Sequence, residues 1–121
     1  MVTNRLDIVF EDKDVLVVSK PTNLLSVSTL KEKEKTLFHL CSSYVKKQNK
    51  NNKIFIVHRL DKDTSGVMIF AKNIAVKEEL QKQFELGLAK RYYYALVSPK
   101  VQNVELTIVN YLHIDKFGNV F

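Results

Sequence analysis

Two apolar runs of strand length, residues 54–57 and 67–71, bracket a polar stretch near the middle of the chain. That stretch reads His58-Arg59-Leu60-Asp61-Lys62-Asp63-Thr64-Ser65-Gly66. Short apolar runs bounded by polar residues and glycine predict buried strands. The stretch between them is therefore a loop on a rigid scaffold, a frequent way of presenting chemistry. Upstream, residues 6–10 and 15–19 are two further short apolar segments around the polar turn 11–14, a hairpin pattern. Pro21 ends the second strand because it lacks an N–H for the ladder. Asn23 suits a left-handed turn position.

Helical spacing appears twice. Thr36 is placed to cap a helix whose Leu37, Leu40, Cys41, Tyr44 and Val45 share a face. Lys46 and Lys47 fall in its last turn, where cations suit the dipole. Asn73 is placed to cap a second helix with Val76, Leu80, Phe84 and Leu88 four apart, and Gly87 is its stop. Between the first helix and the central loop, residues 48–53 (Gln-Asn-Lys-Asn-Asn-Lys) hold no apolar side chain and predict an exposed loop, either solvated linker or phosphate contact. After the second helix, residues 92–97 predict a strand with three tyrosines, 98–100 a turn, 104–114 a long strand and 117–119 another turn. The order predicts one α+β domain over residues 1–121, with a mixed, largely antiparallel sheet and flanking helices.

Composition narrows the class. The chain has 121 residues, 45% of them hydrophobic, which suits one domain with a real core. No apolar run approaches the ~18 residues of a membrane helix, and no signal-peptide pattern follows Met1, so a cytoplasmic setting is expected. Cys41 is the single cysteine, which excludes an intrachain disulfide and places the residue in the core. Lys and Arg number 19 against 13 Asp and Glu, a net charge of +6. That balance favours a polyanionic partner.

Three chemistries compete for the central stretch. Asp61-x-Asp63-x-Ser65-Gly66 resembles the start of a calcium loop, but the twelfth position, where a bidentate Glu is needed, is Lys72, and the exit run has strand character. A hydrolase using His58 and Ser65 lacks a nucleophile elbow. The third is a carboxylate: Arg59 and Lys62 flank Asp61, favour its ionised form and could hold phosphate, while ionised Asp61 could attack carbon. An Asp that caps the turn while Thr64 and Ser65 close it explains the same residues.

The pattern His58-Arg59-Leu60-Asp61-x-x-Thr64-Ser65-Gly66, with an apolar run to Ala71, resembles the signature of RluA-type pseudouridine synthases. Three other segments resemble that family in order: Phe10-Glu11-Asp12 through Lys20-Pro21, the helix from Asn73, and Arg91-x-Tyr93-x-Ala95-Leu96-Val97. The resemblance implies isomerisation of uridine to pseudouridine in RNA, ribosomal first and transfer RNA second, without cofactor or metal. It implies Asp61 as the catalytic carboxylate and Tyr93 as the residue that stacks on the flipped uracil. It gives Arg59, Lys62, Thr64, Arg91 and Lys20 RNA contacts, and makes Lys46, Lys47 and Lys90 further phosphate candidates. The family's later basic motif has no counterpart before Phe121, and Asn23 stands where a glycine is usual. A partial catalytic domain is therefore expected, completed by a missing C-terminal segment or by self-association.

Overall fold

The computed structural model describes residues 5–98, 100, 102 and 105–120. The polypeptide divides into two compact units, Met1–Lys90 and Arg91–Phe121.

The first unit is a four-stranded antiparallel sheet with two helices. Strand β1 is Asp7–Glu11, β2 Val15–Lys20, β3 Phe55–Ile56 and β4 Gly66–Ala71, in the spatial order β1-β2-β4-β3. Helix α1 is Leu37–Gln48 and α2 is Ile74–Glu85. The predicted hairpin forms with a bulge between Ile8 and Phe10, and Asp12 closes its turn by accepting from the amides of Asp14 and Val15. Period-two alternation places Leu16, Val18 and Lys20 on the inner face of β2, all fully buried. Opposite them in register stand Phe70, Met68 and Gly66 of β4.

The same face receives α1 through Leu37, Cys41 and Val45, and Phe38 packs a ring against Phe70 at 6.3 Å. Burying each large apolar side chain of this core contributes about 1.5–3 kcal/mol. Cys41 lies within it, and burial pushes its thiol up to about 12, so it acts as a small apolar residue. Both predicted caps are realised: Thr36 Oγ1 accepts from the amide of His39 and Asn73 Oδ1 from that of Val76.

Three expectations change. The run 54–57 pairs only at Phe55–Ile56, because Ile54 and Val57 turn their side chains into the core outside the ladder. Helix α2 ends at Glu85, so Leu88 lies beyond it and is exposed, while Val76, Leu80 and Phe84 are half-buried. In the second unit, residues 92–97 and the described part of 104–114 form no strand beyond a single bridge between Ile114 and Val120. Pro99 and Val104 lie outside the described residues. The apolar alternation there is real, but a strand needs a ladder partner, and these side chains stay exposed.

Glu11 fastens the hairpin to the rest of the first unit. It accepts from Lys72 Nζ at 2.7 Å, Tyr44 Oη at 2.7 Å and Gln48 Nε2 at 3.3 Å. Burial raises its carboxyl, but the Lys72, Tyr44 and Gln48 bonds together with the Lys72 charge outweigh this and hold it below 4.5. A depressed carboxyl contributes stability above its unfolded value and loses it as pH falls through the folded one. Glu11→Gln is expected to cost about 1–2 kcal/mol at neutral pH. It should also flatten the loss of stability below pH 4.5, checked by urea unfolding from pH 7 to pH 2.

Candidate active site

The loop between β3 and β4 is held from beneath by the segment that follows β2. Lys20 continues the buried face of its strand, and its ammonium donates to the carbonyls of Pro21 at 3.0 Å, Leu24 at 2.7 Å and Lys62 at 3.0 Å. Thr22 Oγ1 donates to the carbonyl of Asp63 at 2.8 Å, and the amide of Leu24 to that of Lys62 at 3.2 Å. The buried Ser26 hydroxyl donates to the carbonyl of Leu60 and accepts from its amide at 3.1 Å. Asn23 makes the return possible by adopting φ 61°, a left-handed position that asparagine tolerates.

The loop adds its own constraints. The amide of Thr64 donates to the carbonyl of Asp61 at 3.1 Å, closing a turn. Leu60 is buried under that turn. Gly66 re-enters the sheet at φ 143°, where an L side chain is strained, and an added Cβ would meet Leu60 at 3.6 Å. His58 accepts from the amide of Ile69 through Nε2 at 3.1 Å and stacks on Phe84 of α2, ring centroids 4.6 Å apart. It is a structural hydrogen-bond acceptor that seats the entry of the loop against β4. The exit at Gly66 is a strand, which agrees with setting the calcium loop aside.

The result is a backbone fixed on both sides of Asp61 with its side chain exposed. Arg59, Lys62, Asp63 and Ser65 are also exposed and Thr64 is half-buried. Asp61, Arg59, Lys62 and Thr64 thus share one loop. Lys20 does not face solvent, so the expected phosphate contact is corrected: its three donors are committed to carbonyls. Burial lowers its proton affinity, and the nearby Asp63 and Asp61 partly offset that. Arg91 and Tyr93 belong to the second unit, where both are exposed. Lys46, Lys47 and Lys90 are exposed, Lys90 donating to the carbonyl of Gly87 at 3.3 Å. Ser26 and Thr22 escaped the sequence reading. Period two along β2 was the signal available for Lys20, since it puts the residue in line with Leu16 and Val18. Among the described residues no three His, Cys, Asp or Glu side chains gather as a metal site.

Residues 14–120 match the family model of RNA pseudouridylate synthases. The chain belongs to that family. It is 43% identical over 100 residues to a dual-specificity RNA pseudouridine synthase RluA of Vibrio parahaemolyticus, covering 82% of this chain and 38% of that protein. It is 41% identical over 93 residues to an RNA pseudouridine synthase of Mycoplasma genitalium, covering 77% and 29%. It is 34% identical over 114 residues to the ribosomal large subunit pseudouridine synthase D of Borreliella burgdorferi, covering 90% and 35%. The chain thus spans about a third of the length of these curated relatives, and its family likeness is of the RluA type. The human RNA pseudouridylate synthase domain containing 4 superposes with a TM-score of 0.55 at 27% identity, over 66% of this chain and 30% of that one. The α+β fold of the chain is thus similar to that of a solved pseudouridylate synthase domain.

Two substitutions test the cradle. Ser26→Ala leaves the Leu60 amide and carbonyl buried without their partner and is expected to cost about 1–3 kcal/mol. Gly66→Ala is expected to cost about 1–3 kcal/mol through its positive φ. Chemical denaturation measures both, and a change below 0.5 kcal/mol in either would mean the loop is not held as described.

Proposed function

We propose that this chain carries the catalytic segment of an RNA pseudouridine synthase, acting on uridine in structured RNA. The observation that supports it most is the exposed carboxylate of Asp61 on a backbone fixed from both sides, in the sequence setting of the family. Preorganisation of this kind is what a positioned nucleophile requires. Asp61 attacks the sugar or the base; the C1′–N1 glycosidic bond breaks, the base turns, a C1′–C5 bond forms, the bond to Asp61 breaks to free the carboxylate, and the C5 proton is lost while N1 gains one. The bonds are redistributed within one nucleoside, so the balance calls for no redox partner and no cofactor.

The substrate nucleotide leaves the stack, at a cost of a few kcal/mol. Stacking on Tyr93, at about 1–3 kcal/mol, and phosphate contacts from Arg59, Lys62 and Arg91 offset it. Thr64 contributes a hydroxyl on the same loop. Large-subunit ribosomal RNA is the first substrate class, in line with the named activity of the Borreliella burgdorferi relative, and transfer RNA the second. A cytoplasmic setting goes with either. Further polypeptide, a continuation of the kind the longer relatives have or a second copy, supplies the basic group that pairs with Asp61 and the partner for the second unit.

One observation favours a second reading, RNA binding without catalysis by this chain alone. Lys20, the buried cation beneath the loop, spends its donors on carbonyls and leaves none for the Asp61 carboxylate.

Incubation with ribosomal and transfer RNA transcripts, followed by nucleoside quantification, separates the two. Catalysis predicts pseudouridine at a defined site, lowered on the order of 10³-fold or more by Asp61→Ala. Tyr93→Ala is expected to lower turnover and Arg59→Ala to weaken RNA affinity roughly tenfold. Salt-sensitive RNA binding with no isomerisation by the wild-type chain would establish the second reading.

A further inference from the structure

The Asn- and Lys-rich segment 48–53 has no role in the site around Asp61. In the structure it is ordered. The amide of Asn52 donates to the carbonyl of Asn49 at 2.9 Å, that of Asn51 to Asn49 Oδ1 at 2.9 Å, and Asn52 Nδ2 to the carbonyl of Val45 at 3.1 Å. It walls a cavity of about 570 Å³ whose other sides are Lys13 of the hairpin turn, Phe55 of β3, and Lys72, Asn73 and Ile74 at the start of α2. This volume falls in the range of ligand sites. The cavity lies at the Ala71 end of β4, whereas Asp61 lies beyond the Gly66 end. Five residue steps along the strand separate the two ends by about 17 Å.

The charged side chains that line this cavity are all of one sign. Three of its lining residues are lysines and none is acidic. Lys72 is balanced by Glu11 at 2.7 Å, Lys13 lies near the charge of Asp12, and both Lys13 and Lys53 are exposed. Of the carboxylates in the adjoining turn, Asp12 accepts two backbone amides and Asp14 accepts from Asn73 Nδ2 at 3.1 Å. Lys46, Lys47 and Lys50, which do not line the cavity, are exposed in the last turn of α1 and the loop after it. The first turn of α2, which opens at the rim, contains no acidic side chain of its own, and the Asp14 carboxylate stands beside its cap residue Asn73. Phe55 and Ile74 add apolar surface between the cations. Cations around an apolar floor suit a strand whose phosphates face the lysines while a sugar or base lies on the floor.

We propose that this cavity is a second RNA-backbone site, binding a part of the RNA strand away from the nucleotide at Asp61. It rests on the RNA-binding half of the proposed function and not on catalysis. It gives the basic charge a place: the RNA is gripped at both ends of β4, so that strand length sets the spacing between the two contacts. The side-chain amide of Asn51 and the cations of Lys13 and Lys53 contact phosphate and sugar, which carry no sequence information.

The test is the salt dependence of RNA binding by the whole chain, measured by fluorescence anisotropy on a labelled ribosomal RNA hairpin. Each lysine–phosphate contact contributes about 0.7–0.9 to the slope of log K against log salt. The double variant Lys13→Gln/Lys53→Gln is expected to reduce that slope by about 1–2, while Lys31→Gln/Lys33→Gln, which removes the same charge outside the cavity, leaves it within about 0.5. An unchanged slope in the first variant, or an equal fall in the second, would overturn the site, as would absence of RNA binding by the wild-type chain. Binding of polyglutamate that the first variant loses, with its RNA slope intact, would assign the cavity to an acidic polypeptide instead. A reduced slope in a chain that makes no pseudouridine upholds the site and refutes catalysis alone.

Discussion

A lysine ammonium buried at the end of a central strand organises the first unit. Lys20 is fully buried, yet it is not an isolated charge, because three carbonyl oxygens lie within 2.7–3.0 Å of its Nζ. A buried ammonium without such partners would be strongly destabilising, and three carbonyls that turn inward without a donor would be equally costly. Each half of the arrangement therefore requires the other. The carbonyls come from the turn after β2 and from the loop that bears Asp61, so the same ammonium fixes both segments at once. Ser26 and Thr22 repeat the device with neutral hydroxyls. The side chains that reach outward are then left to chemistry, because none of them is needed to hold the loop.

The order of elements in the first unit was legible because its residues agree at several levels. Thr36 and Asn73 stand where caps are needed, the apolar residues of α1 keep a 3.6-residue period, and the hairpin segments are bounded by polar turns. Asn23 was readable as a left-handed position from its residue type alone. The Asp61 loop was legible as a loop, and its family likeness singled out the carboxylate. Residue type alone did not convey which cation faces outward. Lys20 and Lys62 look alike in one dimension, and only the alternation along β2 distinguishes them. The turn contacts of Ser26 and Thr22 were out of reach, since they join positions separated by 34 and 41 residues.

The second unit failed as a sequence reading for a different reason. Residues 92–97 and 105–114 have strand composition, with Tyr93, Leu96, Leu106 and Ile108 at suitable spacing, but composition only qualifies a segment for pairing. A helix satisfies its own backbone, whereas a strand depends on a neighbour. The isolated bridge at Ile114 and Val120 is what the described residues provide. In the first unit the same kind of composition succeeded because β2 and β4 pair with each other over their whole lengths.

The cradle around Asp61 also has a consequence in time. Its contacts close chain loops of 34 to 42 residues, so they are among the entropically most demanding steps in assembling the first unit. The turn at Thr64 is local and can form early, but its framework cannot exist until β2 and β4 have met. During synthesis the signature emerges before the strand that completes its framework, and its shape is fixed only when that strand docks. A half-made chain would therefore present the sequence of the site without its geometry until that docking had occurred.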